Sequence, residues 1–269
     1  MGKFSTGLKY ASLGLGLGVD MRSRWVLASM LPRLKMHRAL SLSNSNIYTA
    51  TVQLEQLRRT VHFRDQDIFI FREVLVDNVY LEPDLYKEPP RCILDLGAHI
   101  GLATLRFAAA FPKATIHSYE PDPENFRLLN LSVRGLPNIV LHQEALGTTI
   151  GKATLYVNPD KHTATSLKAN GTHGPKVVCS VTALDVAIRR AGAAVDLIKF
   201  DIEGVEQEVF SGSELVHQVR HIVGEMKASP AEIDVFLRLF PDHKAEVRQA
   251  AKNMYMIHLH KRSEEPWER

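Results

Sequence analysis

The sequence predicts a doubly wound α/β fold, with a mostly parallel seven-stranded sheet and a helical extension at the N-terminus. Three observations predict it. From residue 92 onward, short apolar runs of strand length alternate with helical patterns, and such alternation builds a parallel sheet covered by helices on both faces. The run Ile93-Leu-Asp-Leu-Gly-Ala-His-Ile-Gly101 describes a buried strand broken by a glycine turn. A lone acid, Glu120, then stands at the tip of the next strand-like run, Ala114–Tyr119.

The chain has 269 residues, 45% hydrophobic and 23% charged, as in an ordinary globular protein. That length supports one good core and a small extra segment. Cys92 and Cys179 lie far apart in apolar strands. They read as reduced core thiols, which points to a cytoplasmic protein. No His-x-x-x-His or His-x-Glu spacing suggests zinc, and no metal is expected.

The net charge of +3 hides an asymmetry. Residues 1–40 carry seven lysines and arginines against Asp20 alone, a balance of +6, which leaves −3 for the remainder. A nucleic-acid substrate is therefore disfavoured, because the catalytic region lacks a basic surface. We divide the chain into a basic helical arm, residues 1–50, and a catalytic domain, residues 51–269. No run in the arm reaches the roughly 20 apolar residues of a membrane span, and no clear cleavage site marks a signal peptide. Its start, Met-Gly-Lys-Phe-Ser-Thr, fits the loose myristoylation pattern. Trp25, Leu27, Met30, Leu31 and Leu34 recur at helical spacing, interrupted by Pro32. Such a helix packs on its own domain or on a second copy of the chain, or it rests on an anionic membrane. Peripheral membrane contact and a homodimer are thus the two associations the arm admits.

The elements follow in order. Residues 51–87 mix helix and strand signals, with Ile68–Tyr80 expected beside the glycine turn. Glu88-Pro-Pro90 is a stiff linker. Cys92–Leu94 is a buried strand, residues 100–111 a helix, and Ala114–Tyr119 a strand. Glu124–Arg134 is a helix, and Asn138–Gln143 a strand with Glu144 and Ala145 at its tip. Short strands are expected at Gly151–Asn158 and Lys176–Val181, with a helix at Ala183–Arg190. Asp196–Asp201 and His221–Met226 are further strands, separated by a helix over Glu206–Val219. After a helix at Ala231–Phe240, the strands Ala245–Ala250 and Met254–His260 close the sheet as an antiparallel pair.

The glycine turn selects among ligands. Gly97 permits a sharp bend and Gly101 lets the next helix begin close by. A carboxylate at the position of Glu120 can accept both hydroxyl hydrogens of a ribose diol. A pyrophosphate site wants Gly-x-Gly-x-x-Gly. Here the pattern is Asp-x-Gly-x-x-x-Gly, and Asp95 at its head would repel a pyrophosphate. It suits a cationic adenosine cofactor with a free amino group, S-adenosylmethionine.

Four pieces of sequence carry a resemblance: Ile93–Gly101, Ser118-Tyr-Glu-Pro-Asp122, Glu144-Ala-Leu-Gly147, and Asp196-Leu-Ile-Lys-Phe-Asp-Ile-Glu-Gly-Val-Glu206. With them the chain resembles the FkbM-family methyltransferases, class I enzymes that use S-adenosylmethionine, over roughly residues 55–260. The last piece, Lys-x-Asp-x-Glu-Gly-x-Glu, is the most specific. The resemblance implies that Asp95, Gly97, Ala98 and Gly101 line the methionine end of the cofactor, that Glu120 and Pro121 hold the ribose, and that Glu144 and Ala145 receive the adenine. His99 departs from the Asn usual there. The resemblance also implies O-methylation of a sugar, glycolipid, polysaccharide or secondary metabolite. A non-catalytic binding protein using the same pocket and an RNA methyltransferase are the alternatives.

Methyl transfer to a hydroxyl needs alignment and removal of a proton. Ligands in such sheets bind outside the carboxyl ends of the strands, which directs attention to Asp201, Glu203 and Glu225. Lys199, Asp201 and Glu203 alternate along one expected strand, so their side chains would share a face. Lys199 and Asp201 are candidate catalytic groups. His162, in the loop 158–174, is the third, because histidine titrates near neutral pH.

Overall fold

The computed structural model describes residues 16–40, 46–81, 88–157, 166–168 and 175–262. Two helices, α1 (Met21–Ala28) and α2 (Met30–Ala39), open the described chain. The side chain of Asp20 accepts the Ser23 amide at 2.7 Å and so caps α1. An antiparallel hairpin follows, β1 (Tyr48–Leu54) and β2 (Leu57–Phe63). The boundary expected after residue 50 therefore falls inside a strand. Leu27, Met30 and Leu34 of the helices join the same apolar core as Val52, Ile93 and Leu105, so the arm and the domain share packing.

A 3-10 turn at Asp65–Asp67 leads into α3 (Ile68–Leu75). The main sheet then unfolds as β3 (Cys92–Leu96), α4 (Leu102–Ala110), β4 (Thr115–Tyr119), α5 (Pro123–Val133) and β5 (Ile139–His142). Every residue of β3 is buried, as suits a central parallel strand. Pro123 opens α5, and Asp122 caps it by accepting the Glu124 and Asn125 amides at 2.8 and 3.1 Å.

Next come β6 (Glu144–Leu146), β7 (Gly151–Tyr156) and β8 (Lys176–Thr182), a separate three-stranded sheet in the order β6-β8-β7. Glu144 and Ala145 are thus the start of their own strand rather than the tip of β5. The chain returns through α6 (Leu184–Arg190), β9 (Leu197–Phe200), α7 (Glu206–Ser211), β10 (His221–Lys227), α8 (Pro230–Leu237), β11 (His243–Ala251) and β12 (Met254–Lys261). The helix expected over Glu206–Val219 stops at Ser211, where Gly212 takes the C-cap, and Val216–Gln218 forms a 3-10 turn.

The main sheet has seven strands in the order β11-β12-β10-β9-β3-β4-β5. Strands β3, β4, β5, β9 and β10 run parallel, while β12 is antiparallel to both β10 and β11. The winding reverses between β3 and β9, and ligands bind at the carboxyl ends of strands at such a switch point. One apolar core lies under α1–α5 and a second under α6–α8. Cys92 and Cys179 are buried and unbridged. Among the described residues, no helix is long and apolar enough to cross a membrane.

Candidate active site

The turn after β3 is held by backbone hydrogen bonds to the neighbouring strand. The amides of Gly97 and Ala98 both donate to the Tyr119 carbonyl, at 3.0 and 2.9 Å. Gly97 has a φ of +79°, and a Cβ there would overlap the Asp201 carbonyl oxygen. This glycine is required twice, for its angle and for the approach of two strand ends. His99 also lies in the left-handed region, with a φ of +51°. Asn tolerates that conformation better than most residues. Gly101 serves packing, since a Cβ there would meet a Leu129 methyl of α5.

Glu120 is 5% exposed and stands at the end of β4. Its Oε2 accepts the His99 amide at 2.8 Å and its Oε1 accepts the Asp122 amide at 2.9 Å. Burial nevertheless pushes its carboxyl up to about 7. A shallow cleft, open to solvent, lies beside it. Gly97, Glu120, Pro121, Glu144 and Ala145 line it together with the apolar Leu146, Leu167 and Ile202. Glu144 reaches this cleft while accepting from Arg190 of α6 at 2.6 Å.

Asp95 faces the other way. It is fully buried, accepts the Thr104 hydroxyl at 2.6 Å, and lies 3.2 Å from the Lys199 ammonium. Asp95 and Lys199 are direct cross-strand neighbours in β3 and β9. Lys199 also donates to the Gly97 carbonyl at 2.7 Å and sits 5.1 Å over the Tyr80 ring. Its ammonium is therefore committed to the glycine turn.

The strand expected to carry Lys199, Asp201 and Glu203 is shorter than its alternation suggests, although Lys199 and Asp201 both lie against Tyr80. Strand β9 ends at Phe200, and Glu203 takes a φ of +55° before Gly204 at +90°. The chain bends because the Gly204 amide donates to the Glu206 carboxylate at 3.0 Å. Acids of α3, the β9–α7 turn and β10 are electrostatically coupled to Asp201. Burial raises the Asp201 and Glu73 carboxyls above their usual range. It lifts Glu203 to about 8 and Glu225 to about 7, with Asp201 as the next contributor to both. The Tyr80 hydroxyl lies 3.4 Å from an Asp201 oxygen. Among the described residues, no group of three or more His, Cys, Asp or Glu side chains is arranged to hold a metal ion.

Comparison with known proteins gives this geometry a family. The model of the methyltransferase FkbM domain matches residues 95–254. The chain belongs to the FkbM methyltransferase family. Over 191 residues it is 27% identical to the 31-O-demethyl-FK506 methyltransferase FkbM of Streptomyces tacrolimicus, covering 59% of this chain and 74% of that one. It is 27% identical to the methyltransferase sdnD of Sordaria araneosa, covering 58% and 73%. Among solved structures, Aeropyrum pernix fibrillarin with natively bound S-adenosyl-L-methionine aligns with a TM-score of 0.45 and 16% identity, over 78% of this chain and 93% of that one.

Within this FkbM domain the structure brings Gly97, Glu120, Pro121, Glu144 and Ala145 to one cleft. It places Asp95, Ala98, Gly101 and Lys199 around the turn rather than on the cleft wall. His162 lies outside the described residues. Nearby, the Ser166 hydroxyl donates to the Glu203 carbonyl at 2.7 Å and its backbone pairs with Tyr156. Glu73, Tyr80 and Arg190 went unrecognised in the sequence. They come from helices and turns without a motif, and only the tertiary fold delivers them.

Proposed function

We propose that this FkbM-family chain transfers a methyl group from S-adenosylmethionine to a hydroxyl oxygen of a sugar, glycolipid, polysaccharide or secondary-metabolite acceptor. The observation that carries the reading is Glu120. It is a buried carboxylate at the tip of the second parallel strand, beside a glycine turn and on the wall of the cleft. Its Oε1 accepts the Asp122 amide and the Asn125 side-chain amide, whereas its Oε2 accepts the His99 amide alone and keeps acceptor capacity. A ribose diol would meet that capacity and favour the ionised form. Glu144 and the Ala145 amide suit the adenine edge, and Gly97 opens the backbone to the methionine end. Asp95 and Lys199 act as positioning residues, because their charges neutralise one another and hold the turn.

When bound, the cofactor supplies an electrophilic methyl carbon on a sulfonium. The protein aligns an acceptor oxygen with it and takes the acceptor's proton. Asp201 sits where the Gly97 turn meets the end of β9, and burial raises its carboxyl above the usual range against the opposing pull of Lys199 and Tyr80. We assign it as proton acceptor, with His162 as the second candidate. The name of the Streptomyces relative, an O-demethyl-compound methyltransferase, supports oxygen as the acceptor atom.

Titration calorimetry with S-adenosylhomocysteine tests the donor assignment. Wild type binds, and Glu120→Ala binds about 100-fold more weakly through loss of charged hydrogen bonds; absence of binding by wild type withdraws it. Mass spectrometry of a glycan and hydroxylated-metabolite panel tests the acceptor, and products methylated only on nitrogen or carbon would refute it. Full turnover by a folded Asp201→Ala protein would remove Asp201 from its role.

A further inference from the structure

The solvent side of the N-terminal helices carries a chemistry that the methyl-transfer site does not use. Helical hydrogen bonding continues through Ser29: its amide donates to the Trp25 carbonyl and its carbonyl accepts from Arg33, both at 3.0 Å. Helices α1 and α2 therefore present side chains in nearly one helical register. Leu27, Met30 and Leu34 point into the core, which accounts for one apolar stripe. A second stripe lies opposite. Met21, Trp25, Met36 and Leu40 recur at helical spacing and are 77%, 74%, 49% and 61% exposed.

The same helices carry four exposed bases. Arg22, Arg24, Lys35 and Arg38 are all exposed, Arg24 also donating to the Gly18 carbonyl at 3.0 Å, and no acid occurs between residues 21 and 40. Packing within the domain explains the inner stripe alone. An isologous pairing of two copies would bring eight like charges together around the apolar strip. An acid-free, basic helix with an exposed tryptophan matches a lipid surface with negative headgroups.

We infer that the outward face of α1 and α2 docks on an anionic bilayer, with Trp25 and Met36 entering the headgroup boundary. The docked helices hold a fixed relation to the catalytic cleft. Arg33 donates to Asp65 at 2.6 and 2.8 Å, and Asp67 of the same 3-10 turn lies 3.7 Å from His99 in the glycine turn. Binding at the helices therefore sets how the cleft faces the membrane.

Co-sedimentation of the full chain with phosphatidylcholine vesicles containing about one-third phosphatidylglycerol tests this. At low salt the wild type partitions to these vesicles and not to pure phosphatidylcholine, and high salt releases it. Reversing Arg22, Arg24, Lys35 and Arg38 to Glu weakens partition about 100-fold or more, at roughly fivefold for each lost base. Trp25→Ala with Met36→Ala weakens it about tenfold or more, from the lost apolar burial. Retained S-adenosylhomocysteine affinity and melting temperature show that both variants are folded. In a Trp267→Phe background, Trp25 emission shifts to the blue with anionic vesicles. Wild type left in the supernatant at low salt overturns the inference. So does unchanged partition by both variants, or a concentration-dependent dimer abolished by the Trp25→Ala, Met36→Ala pair.

Discussion

The two proposed ends of the site, the Glu120 cleft for the donor and the Asp201 cluster for the acceptor, bury carboxylates differently. At the donor end, Glu120 accepts the backbone amides of His99 and Asp122, fixed by the turns that follow β3 and β4. At the acceptor end, burial raises the carboxyls of Asp201, Glu203, Glu225 and Glu73, with Asp201 adding to the shift of the other three, and the nearby Lys199 ammonium donates to the Gly97 carbonyl and pairs with Asp95. The proposed donor end is held by fixed hydrogen bonds. The proposed acceptor end gathers carboxyls that burial keeps partly protonated near neutral pH. Such spread of pKa values at one site suits proton transfer.

The largest expected effect comes from removing the cation that separates the two ends. Lys199→Met leaves Asp95 buried without its counter-charge, at a cost of about 3–5 kcal/mol in denaturant unfolding. Adding Asp95→Asn recovers part of that loss in a double-mutant cycle. A small effect in the single variant would mean that the ion pair is not what holds the turn.

Gly97→Ala probes the contact between the ends directly. It forces a positive φ on alanine and pushes on the Asp201 carbonyl, costing about 2–3 kcal/mol in strain. We expect lowered thermal stability together with weakened S-adenosylhomocysteine binding. Loss of stability with full affinity would separate the turn's geometry from donor recognition.

The smallest effect is in pH dependence. Burial raises the folded-state carboxyls of Glu120 and Glu225 to about 7 and of Glu203 to about 8. These carboxyls hold protons that the unfolded chain has already lost, a contribution that falls from pH near 4.5 through 8. His142 and His221, lowered to about 4 by burial, contribute in the opposite sense up to about 6.5. The net decline therefore shows between about 6.5 and about 8. Urea midpoints measured across that window should decline, and Glu225→Gln should flatten part of the slope. A rising wild-type curve would show that the acids at the acceptor end are ionised and better partnered than their burial implies.

Much of the donor end is legible without coordinates because its parts are close in sequence. Gly97 and Glu120 belong to one strand–helix–strand unit, and the periodicity of residues 92–119 places them. The acceptor end is less legible for the opposite reason. The alternation of Lys199, Asp201 and Glu203 suggests one strand face, but Glu206 draws the Gly204 amide back and ends the strand early. Glu73 and Tyr80 reach Asp201 from a segment whose sequence shows only mixed helix and strand signals.

The sequence by itself determined the sheet, its antiparallel close and the carboxylate at the tip of β4, because each follows from local periodicity and spacing. The tertiary structure alone decided that Asp95 faces Lys199 rather than the cleft, that acids of α3, the β9–α7 turn and β10 share one region, and that the outer stripe of the N-terminal helices stays exposed. These depend on which faces meet across long separations, where packing and desolvation outweigh local pattern. In both helices and strands, the sequence marks a side chain as apolar or charged, but only its partners decide what it does there.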